Sequence, residues 1–188
     1  SPPDNDRLSR GDTFVKQVGG AELNVAVGAS LLGLRTGVIS KLPSHDIGSF
    51  MKGKIRSFGV SDDFFMYDDS PSARVGIYYY ENGAYPRKPK VIYDRMNSSF
   101  FSLNIDEIPK EVYTASKCFH TTGITLALSP QIRETTIEMI KRFKEAGTLV
   151  SFDVNFRGNL WSGDEARECI LKILPYVDIF FCSEDTAR

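Results

Sequence analysis

The strongest constraint on this chain is a glycine pair that precedes a helix near its start. Gly19 and Gly20 are followed by small residues that predict a helix over residues 21–32, with Gly33 as its C-terminal stop. Because glycine has no Cβ, the backbone there can approach a ligand closely, and the first N–H groups of the helix have no intrahelical partner. Asn24 lies one turn further and can both donate and accept hydrogen bonds. The alternative is a tight turn that packs its helix closely on a sheet.

Helical and β-rich segments alternate through most of the remaining sequence. We predict further helices over residues 46–58, 130–144 and 162–174, and strands over residues 36–42, 60–66, 117–122, 148–154 and 177–182. Asp46 is the expected cap of the first of these helices, and Ser162 with Glu165 forms a capping box for the last. This alternation is typical of a parallel sheet covered by helices, and 188 residues can bury one core. The sequence therefore predicts a single α/β domain over residues 1–188.

A hairpin interrupts the alternation after residue 72. Its predicted strands, residues 73–81 and 90–96, flank an Asn82-Gly83 turn signal, and a short strand over residues 13–19 precedes the glycine pair. Such an insertion forms a lid outside the main sheet, so we expect lid strands at about 13–19 and 72–97. The hairpin concentrates tyrosines and basic residues, namely Tyr78, Tyr80, Tyr85, Tyr93, Arg87, Lys88, Lys90 and Arg95.

Tyrosine hydroxyls and an arginine fork in this hairpin suit a negatively charged, polyhydroxylated small molecule. Two alternatives remain open from the residues alone. The hairpin could be a surface element with aromatic cross-strand pairs, or an edge that pairs with a second copy of the chain.

Polar side chains follow the strand predicted over residues 148–154. By strand alternation Asp153, Asn155 and Arg157 project to one side, at the carboxyl end of the sheet where ligands bind in open parallel folds. An arginine beside an asparagine can hold a carboxylate or a phosphate there. The alternative is a buried Asp–Arg pair that fixes the loop, which Trp161 is expected to pack down. We interpret His120 as a core or strand-end histidine rather than a catalyst.

The net charge and the cysteines indicate which kinds of binding partner and which cellular compartment to expect. A net charge of −1 argues against nucleic acid or an anionic membrane as the main partner, and no apolar run is long enough to span a bilayer. Cys118, Cys169 and Cys182 are odd in number and lie in apolar surroundings. They are predicted to be reduced core thiols, which indicates a cytoplasmic protein.

Taken together, these motifs resemble the PfkB (ribokinase-like) family of carbohydrate kinases. The resemblance extends over essentially the whole chain. It rests on residues 19–24, on Tyr78 and residues 93–95 of the hairpin, and on residues 123–129, 153–157 and 160–162. It implies a three-layer, doubly wound, mainly parallel sheet with a small β lid. The tyrosine hairpin together with residues 155–157 is similar to the members that phosphorylate 2-keto-3-deoxy sugar acids, such as 2-keto-3-deoxygluconate.

The resemblance also implies roles for individual residues. It implies substrate contacts from Gly20, Ala21, Asn24, Tyr78, Tyr93, Arg95 and Arg157. Arg95 would face the carboxylate of the sugar acid, and Arg157 with Asn155 would lie between the sugar acid and the phosphates of ATP. Family members transfer the γ-phosphoryl group of ATP to a primary hydroxyl with the help of Mg²⁺. The resemblance therefore implies ATP and Mg²⁺ as cofactors, and a homo-oligomer formed through the lid.

Several family features are missing from these residues. The family's first core strand and its nucleotide-binding half, with a Gly-Ala-Gly-Asp motif that carries the catalytic aspartate, do not occur in this sequence. Residues 183–186 read Ser-Glu-Asp-Thr where many members have Asn-x-x-Glu, a sequence that helps to organise Mg²⁺. We therefore assign no catalytic aspartate and no metal ligand here; Arg157 is a candidate for a contact to the transferred phosphate. The expectation is a piece of a longer enzyme that is inactive alone.

Two other functions compete with a sugar-acid kinase. One is a PfkB kinase for a neutral sugar, such as fructose or ribose, or for a nucleoside. A neutral substrate has no need of Arg95, so the effect of removing that arginine separates the two kinases. The other is a non-catalytic sugar-binding or dimerisation module, in which the tyrosine hairpin pairs with another chain.

Overall fold

The computed structural model describes residues 6–187, in which helices alternate with short strands. The helices are α1 (Ala21–Leu31), α2 (Asp46–Ser57), α3 (Val112–Ala115), α4 (Gly123–Ala127), α5 (Pro130–Glu145), α6 (Gly163–Ile173) and α7 (Glu184–Ala187). The strands are β1 (Thr36–Gly37), β2 (Ser40–Pro43), β3 (Val60–Ser61), β4 (Phe65–Asp68), β5 (Ile77–Glu81), β6 (Lys90–Asp94), β7 (Cys118–Thr122), β8 (Leu149–Asp153) and β9 (Ile179–Phe181). Among the described residues, short 3-10 turns lie at Ser99–Ser102, Ile105–Glu107 and Leu174–Tyr176.

Parallel pairing dominates the strands outside the hairpin. Strand β8 lies between β7 and β9, and β1 pairs with β3 and β2 with β4, all in parallel. In this register Thr122 at the end of β7 lies beside Asp153 at the end of β8. Both residues therefore reach the carboxyl edge of the sheet, where the sequence places its candidate ligand-binding residues.

Two hydrophobic clusters hold the elements together. The larger one lies between β7–β9 and helices α4–α6, and its side chains Leu126, Ile140, Val150, Phe152 and Ile173 are fully buried. The smaller one joins α1 and α2 to β2, β3 and β4 through Leu23, Leu42, Ile55, Val60 and Phe65. Helix α1 also contacts β7, so its position depends on both halves of the sheet.

Most helix ends are where the sequence signals predict them. Gly33, Gly59 and Gly147, which follow α1, α2 and α5, have φ values of 89°, 76° and 81°, a left-handed conformation that favours glycine. The capping box predicted for α6 is also present. The cap predicted at Asp46 is wrong: Nδ1 of His45 accepts the N–H of Ile47 at 3.2 Å, so the histidine caps α2.

The lid differs from the prediction in two respects. Residues 13–19 form no strand. The antiparallel strands β5 and β6 are connected by residues 82–89 rather than by Asn82-Gly83 alone, with an isolated bridge between Ala84 and Arg87. Their register pairs Tyr78 with Tyr93.

The cysteine prediction holds for one of three thiols. Cys169 is buried in α6, but Cys118 and Cys182 are exposed, and all three are free. In the described part of the chain, no helix combines the length and the apolar character needed to cross a membrane.

Candidate functional site

The glycine pair contacts the lid. A Cβ placed on Gly19 would lie only 2.8 Å from the hydroxyl oxygen of Tyr78. The Tyr78 and Tyr93 rings are neighbours across the hairpin, with centroids 6.3 Å apart, and the guanidinium carbon of Arg95 lies 4.5 Å from the centre of the Tyr93 ring. The structure therefore joins the glycine turn to Arg95 through two neighbouring tyrosine rings that are tilted relative to each other.

The segment that precedes the glycine pair lies along the lid, although it does not form a strand. The ring of Phe14 packs edge-on against Tyr79, with centroids 5.8 Å apart. The N–H of Leu8 donates to the carboxylate of Glu81 at 2.9 Å, and that carboxylate also pairs with Arg87 at 3.2 Å. Side-chain contacts thus take the place of the predicted strand pairing.

The base of the lid is fixed by Arg74. Its guanidinium lies 2.8 Å from the carboxylate of Asp94 and donates to the carbonyl of Met96. Its backbone bonds to Ser99 in both directions: the N–H of Ser99 donates to the Arg74 carbonyl at 2.8 Å, and the Ser99 hydroxyl accepts the N–H of Arg74 at 3.2 Å. The two segments in which the chain passes between the sheet and the lid are therefore hydrogen-bonded to each other.

The start of α1 is also bonded to the end of β7. Oε1 of Glu22 accepts three hydrogen bonds, from the N–H and the hydroxyl of Thr122 at 3.0 and 2.9 Å and from the hydroxyl of Thr125 at 2.6 Å. The sequence analysis missed this cluster. Its residues lie about 100 positions apart, and the only local signal was a glutamate within a helix of small residues.

The ends of β7 and β8 are in close contact. A Cβ on Gly123 would lie 2.1 Å from the carbonyl oxygen of Val154, so a glycine is needed for the two backbones to approach. Trp161 is buried beside Gly123, as predicted for the residue that packs this loop. Gly123, which directly follows β7, thus allows the ends of two neighbouring strands to pack closely.

Strand alternation does not describe the residues after β8. The strand ends at Asp153, whose carboxylate accepts the N–H of Asn155 at 3.1 Å, and Asn155 has a φ of 36°. The prediction that Asp153, Asn155 and Arg157 project together by alternation is therefore wrong. The side chain of Arg157 is exposed and donates to the carbonyl of Phe156 at 2.8 Å. This guanidinium remains accessible at the carboxyl edge of the sheet.

His120 lies in the interior between these groups. Its Nδ1 shares a hydrogen bond of 2.9 Å with the hydroxyl of Ser151, and its buried Nε2 has no partner among residues 6–187. Burial lowers the pKa of the imidazole, and the nearby carboxylates of Glu22 and Asp153 act in the opposite direction. A partly buried histidine in the middle of β7 fits the core alternative of the interpretation from the sequence, not the strand-end one.

The predicted site residues form two groups that meet at the start of α1. Gly19 contacts the lid, and Glu22 contacts the end of β7, with Gly20 and Ala21 between them. Asn24 is exposed on the same turn, and its N–H donates to the carbonyl of Gly20 at 2.9 Å. Helix α1 therefore links the lid group to the strand-end group.

Two surface cavities of about 320 and 440 Å³ lie beside α5 and near residues 68–72 and 97–102, and neither Arg95 nor Arg157 lines either of them. Within residues 6–187, no group of three or more His, Cys, Asp or Glu side chains could hold a metal ion. The described residues thus offer cationic and hydroxyl groups for anions and sugars, but no set of metal ligands.

A comparison with a family model and with known proteins finds similarity to carbohydrate kinases along nearly the whole chain. The model of the family described as pfkB family carbohydrate kinase matches residues 2–188. A 2-dehydro-3-deoxygalactonokinase of Haloferax volcanii is 38% identical over 188 residues, which cover 100% of this chain and 58% of that protein. Fructokinase-1 of Zea mays is 33% identical over 178 residues, which cover 94% of this chain and 54% of that protein.

Solved structures resemble the chain over the same extent. The 2-dehydro-3-deoxygluconokinase of Thermotoga maritima matches with a TM-score of 0.93 at 33% identity, over 98% of this chain and 56% of that one. An uncharacterized sugar kinase of Pyrococcus horikoshii, in complex with ATP, matches with a TM-score of 0.80 at 27% identity, over 93% and 56%. The chain spans little more than half the length of these proteins.

Proposed function

Since the chain belongs to the pfkB family of carbohydrate kinases, we propose that the protein carrying it phosphorylates a small sugar acid, 2-keto-3-deoxygluconate, with ATP. Relatives named for 2-dehydro-3-deoxy sugars support this substrate class. In this proposal residues 6–187 supply the surface that recognises the sugar acid and the lid that covers it.

The observation that carries the proposal is the continuous contact from Gly19 through Tyr78 and Tyr93 to Arg95. A carboxylate needs a cationic partner when it leaves water, and a guanidinium can meet both of its oxygens. Arg95 lies on the lid, where its guanidinium can meet a substrate carboxylate, and the neighbouring tyrosine hydroxyls suit a polyol. We assign the carboxylate of the substrate to Arg95.

The glycine turn receives the other end of the sugar acid. We assign substrate hydroxyls to Gly20, Ala21 and Asn24, because Asn24 is exposed and the backbone just before α1 meets Tyr78 at Gly19. Backbone groups without a Cβ in front of them can approach a hydroxyl closely. The lid would then exclude water from the sugar as it closes on this turn.

Arg157 and Asn155 are assigned to the border between the sugar acid and the phosphates of ATP. The exposed guanidinium of Arg157 at the carboxyl edge suits a transferred phosphoryl group, whose charge spreads over three oxygens. The ATP complex of the similar Pyrococcus horikoshii kinase supports ATP as the phosphate donor. Mg²⁺ is expected for a kinase of this family, but the described residues do not fit a metal centre, and we assign it no ligand.

Three further points belong to the proposal. Because the sequence contains no Gly-Ala-Gly-Asp motif, residues 1–188 alone are expected to transfer no phosphate. The exposed side chains Ile77, Tyr79 and Ile92 make the lid the proposed contact between copies in a homo-oligomer. The three free cysteines agree with a cytoplasmic location.

A kinase for a neutral sugar is the second candidate. The 33% identity to a plant fructokinase over 178 residues favours it, because the glycine turn and the fold serve either substrate. The two candidates differ in whether the substrate carries a carboxylate for Arg95.

The test is a substrate panel with the protein that carries this chain. ATP-dependent phosphorylation is measured with 2-keto-3-deoxygluconate, 2-keto-3-deoxygalactonate, fructose, ribose and adenosine, and the 188-residue chain alone serves as a comparison. We expect kcat/KM for a keto-deoxy acid to exceed that for each neutral substrate by at least about 30-fold, the factor that corresponds to about 2 kcal/mol for one unpaired charge. A preference for fructose, ribose or adenosine would contradict the proposal.

A further inference from the structure

We propose that Glu22 is a positioning residue: its carboxylate fixes the start of α1 against the end of β7 and so holds the sugar-binding turn in place. This inference rests on the proposed function, because that function assigns Gly20 and Asn24 to the sugar. Glu22 itself is not assigned a contact to the substrate.

The geometry of the bonds supports an anchoring role. One oxygen of the Glu22 carboxylate accepts the N–H and hydroxyl of Thr122 and the hydroxyl of Thr125, at 3.0, 2.9 and 2.6 Å. Bonds to an ionised acceptor are stronger than those between neutral groups. Since Glu22 lies two residues after Gly20 and two before Asn24, a shift of its backbone displaces both groups that the sugar needs.

The other end of these bonds is rigid. Thr122 is 1% exposed and is paired in register with Asp153 of β8. The backbone just beyond it is confined, because Gly123 approaches the carbonyl of Val154 too closely for any Cβ. Glu22 therefore ties α1 to a part of the molecule that cannot readily move.

Helix α1 has no side-chain cap at its start, because its N-cap residue is Gly20. Leu23, Ala26 and Val27 pack the helix against the smaller hydrophobic cluster, while Val25 is 47% exposed. Apolar packing therefore holds one face of α1, and the Glu22 bonds add a directional polar contact that sets where the turn lies relative to the strand ends.

The test uses the complete protein and three single variants, with one control. Glu22→Ala removes the anchor, Glu22→Gln keeps an acceptor oxygen without the charge, and Thr125→Val removes one donor. Glu168→Gln, an exposed glutamate on α6, is the matched control. Loss of several charged hydrogen bonds predicts a KM for the sugar about tenfold higher in Glu22→Ala, with the KM for ATP within about twofold of wild type.

Intermediate variants test the mechanism. Glu22→Gln and Thr125→Val should raise the sugar KM by about threefold each, since each keeps some of the bonds. The double variant Glu22→Ala/Thr125→Val should equal Glu22→Ala alone, because the two side chains act through one contact. A lower melting temperature for Glu22→Ala without any change in the sugar KM would overturn the positioning role.

Amide hydrogen exchange separates this inference from the proposed function. In Glu22→Ala, exchange should accelerate at residues 20–26, with residues 46–57 of α2 unchanged as an internal reference. Exchange that stays at the wild-type rate at residues 20–26 would overturn the inference. If the wild-type protein phosphorylates no sugar, the proposed function fails, and the exchange rates still decide whether Glu22 anchors α1.

Discussion

The hydroxyl of Tyr78 lies where a side chain on Gly19 would begin, 2.8 Å from the position of its Cβ. Gly19 does not have a left-handed φ, unlike Gly33, so its backbone conformation does not require glycine. The close approach of the Tyr78 hydroxyl is what favours glycine at this position. A position that reads as a simple turn glycine in the sequence is therefore part of the contact between turn and lid.

Replacing Gly19 tests this contact. In Gly19→Ala the Tyr78 hydroxyl must move, which a flexible side chain can do, so we expect a loss of stability below about 1 kcal/mol. The KM for the sugar acid should rise, because Tyr78 is displaced from the turn. Gly19→Ala/Tyr78→Phe should recover packing, since the next nearest atom of the ring, Cζ, is 3.8 Å away. Thermal melting and sugar KM of both variants are compared; a double variant less stable than Gly19→Ala would contradict the expectation.

Arg95→Ala should separate acidic from neutral substrates. Removing the partner of a desolvated carboxylate costs about 2 kcal/mol, or about 30-fold in kcat/KM for 2-keto-3-deoxygluconate. Any activity toward fructose should change by less than about twofold. Lys88→Ala, an exposed lid residue, is the control and should affect neither. Equal losses with acid and neutral sugar would assign Arg95 to lid structure instead.

Gly123→Ala should be strongly destabilising. Its Cβ would fall 2.1 Å from the backbone oxygen of Val154, and a backbone atom cannot rotate away. Overpacking of this kind costs about 3 kcal/mol in the free energy of unfolding, measured with urea. Gly53→Ala in α2 is the control, since nothing lies within 4 Å of its Cβ, and should stabilise by about 0.5 kcal/mol. Similar unfolding free energies for the two variants would refute the close approach.

Asn155 carries two roles that substitution can separate. Its φ of 36° favours glycine or asparagine, so Asn155→Ala should lower the free energy of unfolding by about 1 kcal/mol, and Asn155→Gly by less than about 0.5 kcal/mol. If the amide contacts the substrates as proposed, both variants lose activity to a similar degree. Full activity in Asn155→Gly would limit the residue to its backbone conformation.

His120 should make stability depend on pH. Burial lowers its pKa below the ordinary value of 6.5 that applies in the unfolded chain. As the pH falls below that value the unfolded state takes up a proton first, so stability is lost until the pH passes the folded pKa. His120→Asn should flatten the fall in unfolding free energy between pH 7.5 and 5.5. An identical pH dependence in the variant would exclude His120 as its source.

The fold was largely predictable because its signals are local. The helix stops at Gly33 and Gly147, the Ser129-Pro130 start of α5 and the capping box of α6 depend on contacts within a few residues. The predicted α/β architecture of a ribokinase-like fold is confirmed by the parallel pairing and by the similarity to the Thermotoga maritima kinase.

The site was less predictable because its contacts are distant in sequence or depend on backbone detail. Neither the Glu22–Thr122 bonds nor the approach of Tyr78 to Gly19 leaves a periodic pattern in the residues. The alternation assumed after residue 153 failed because β8 ends there and Asn155 turns the chain. The assignment of individual residues to the sugar acid and to ATP stays a prediction.

The contacts along residues 8–19 have a mechanical consequence. Leu8 is bonded to Glu81, Phe14 packs on Tyr79, and the same segment ends at Gly19 under Tyr78. A swing of the hairpin away from the sheet therefore pulls on the peptide that leads directly into α1. Displacement of the hairpin and displacement of the start of α1 are therefore expected to be coupled.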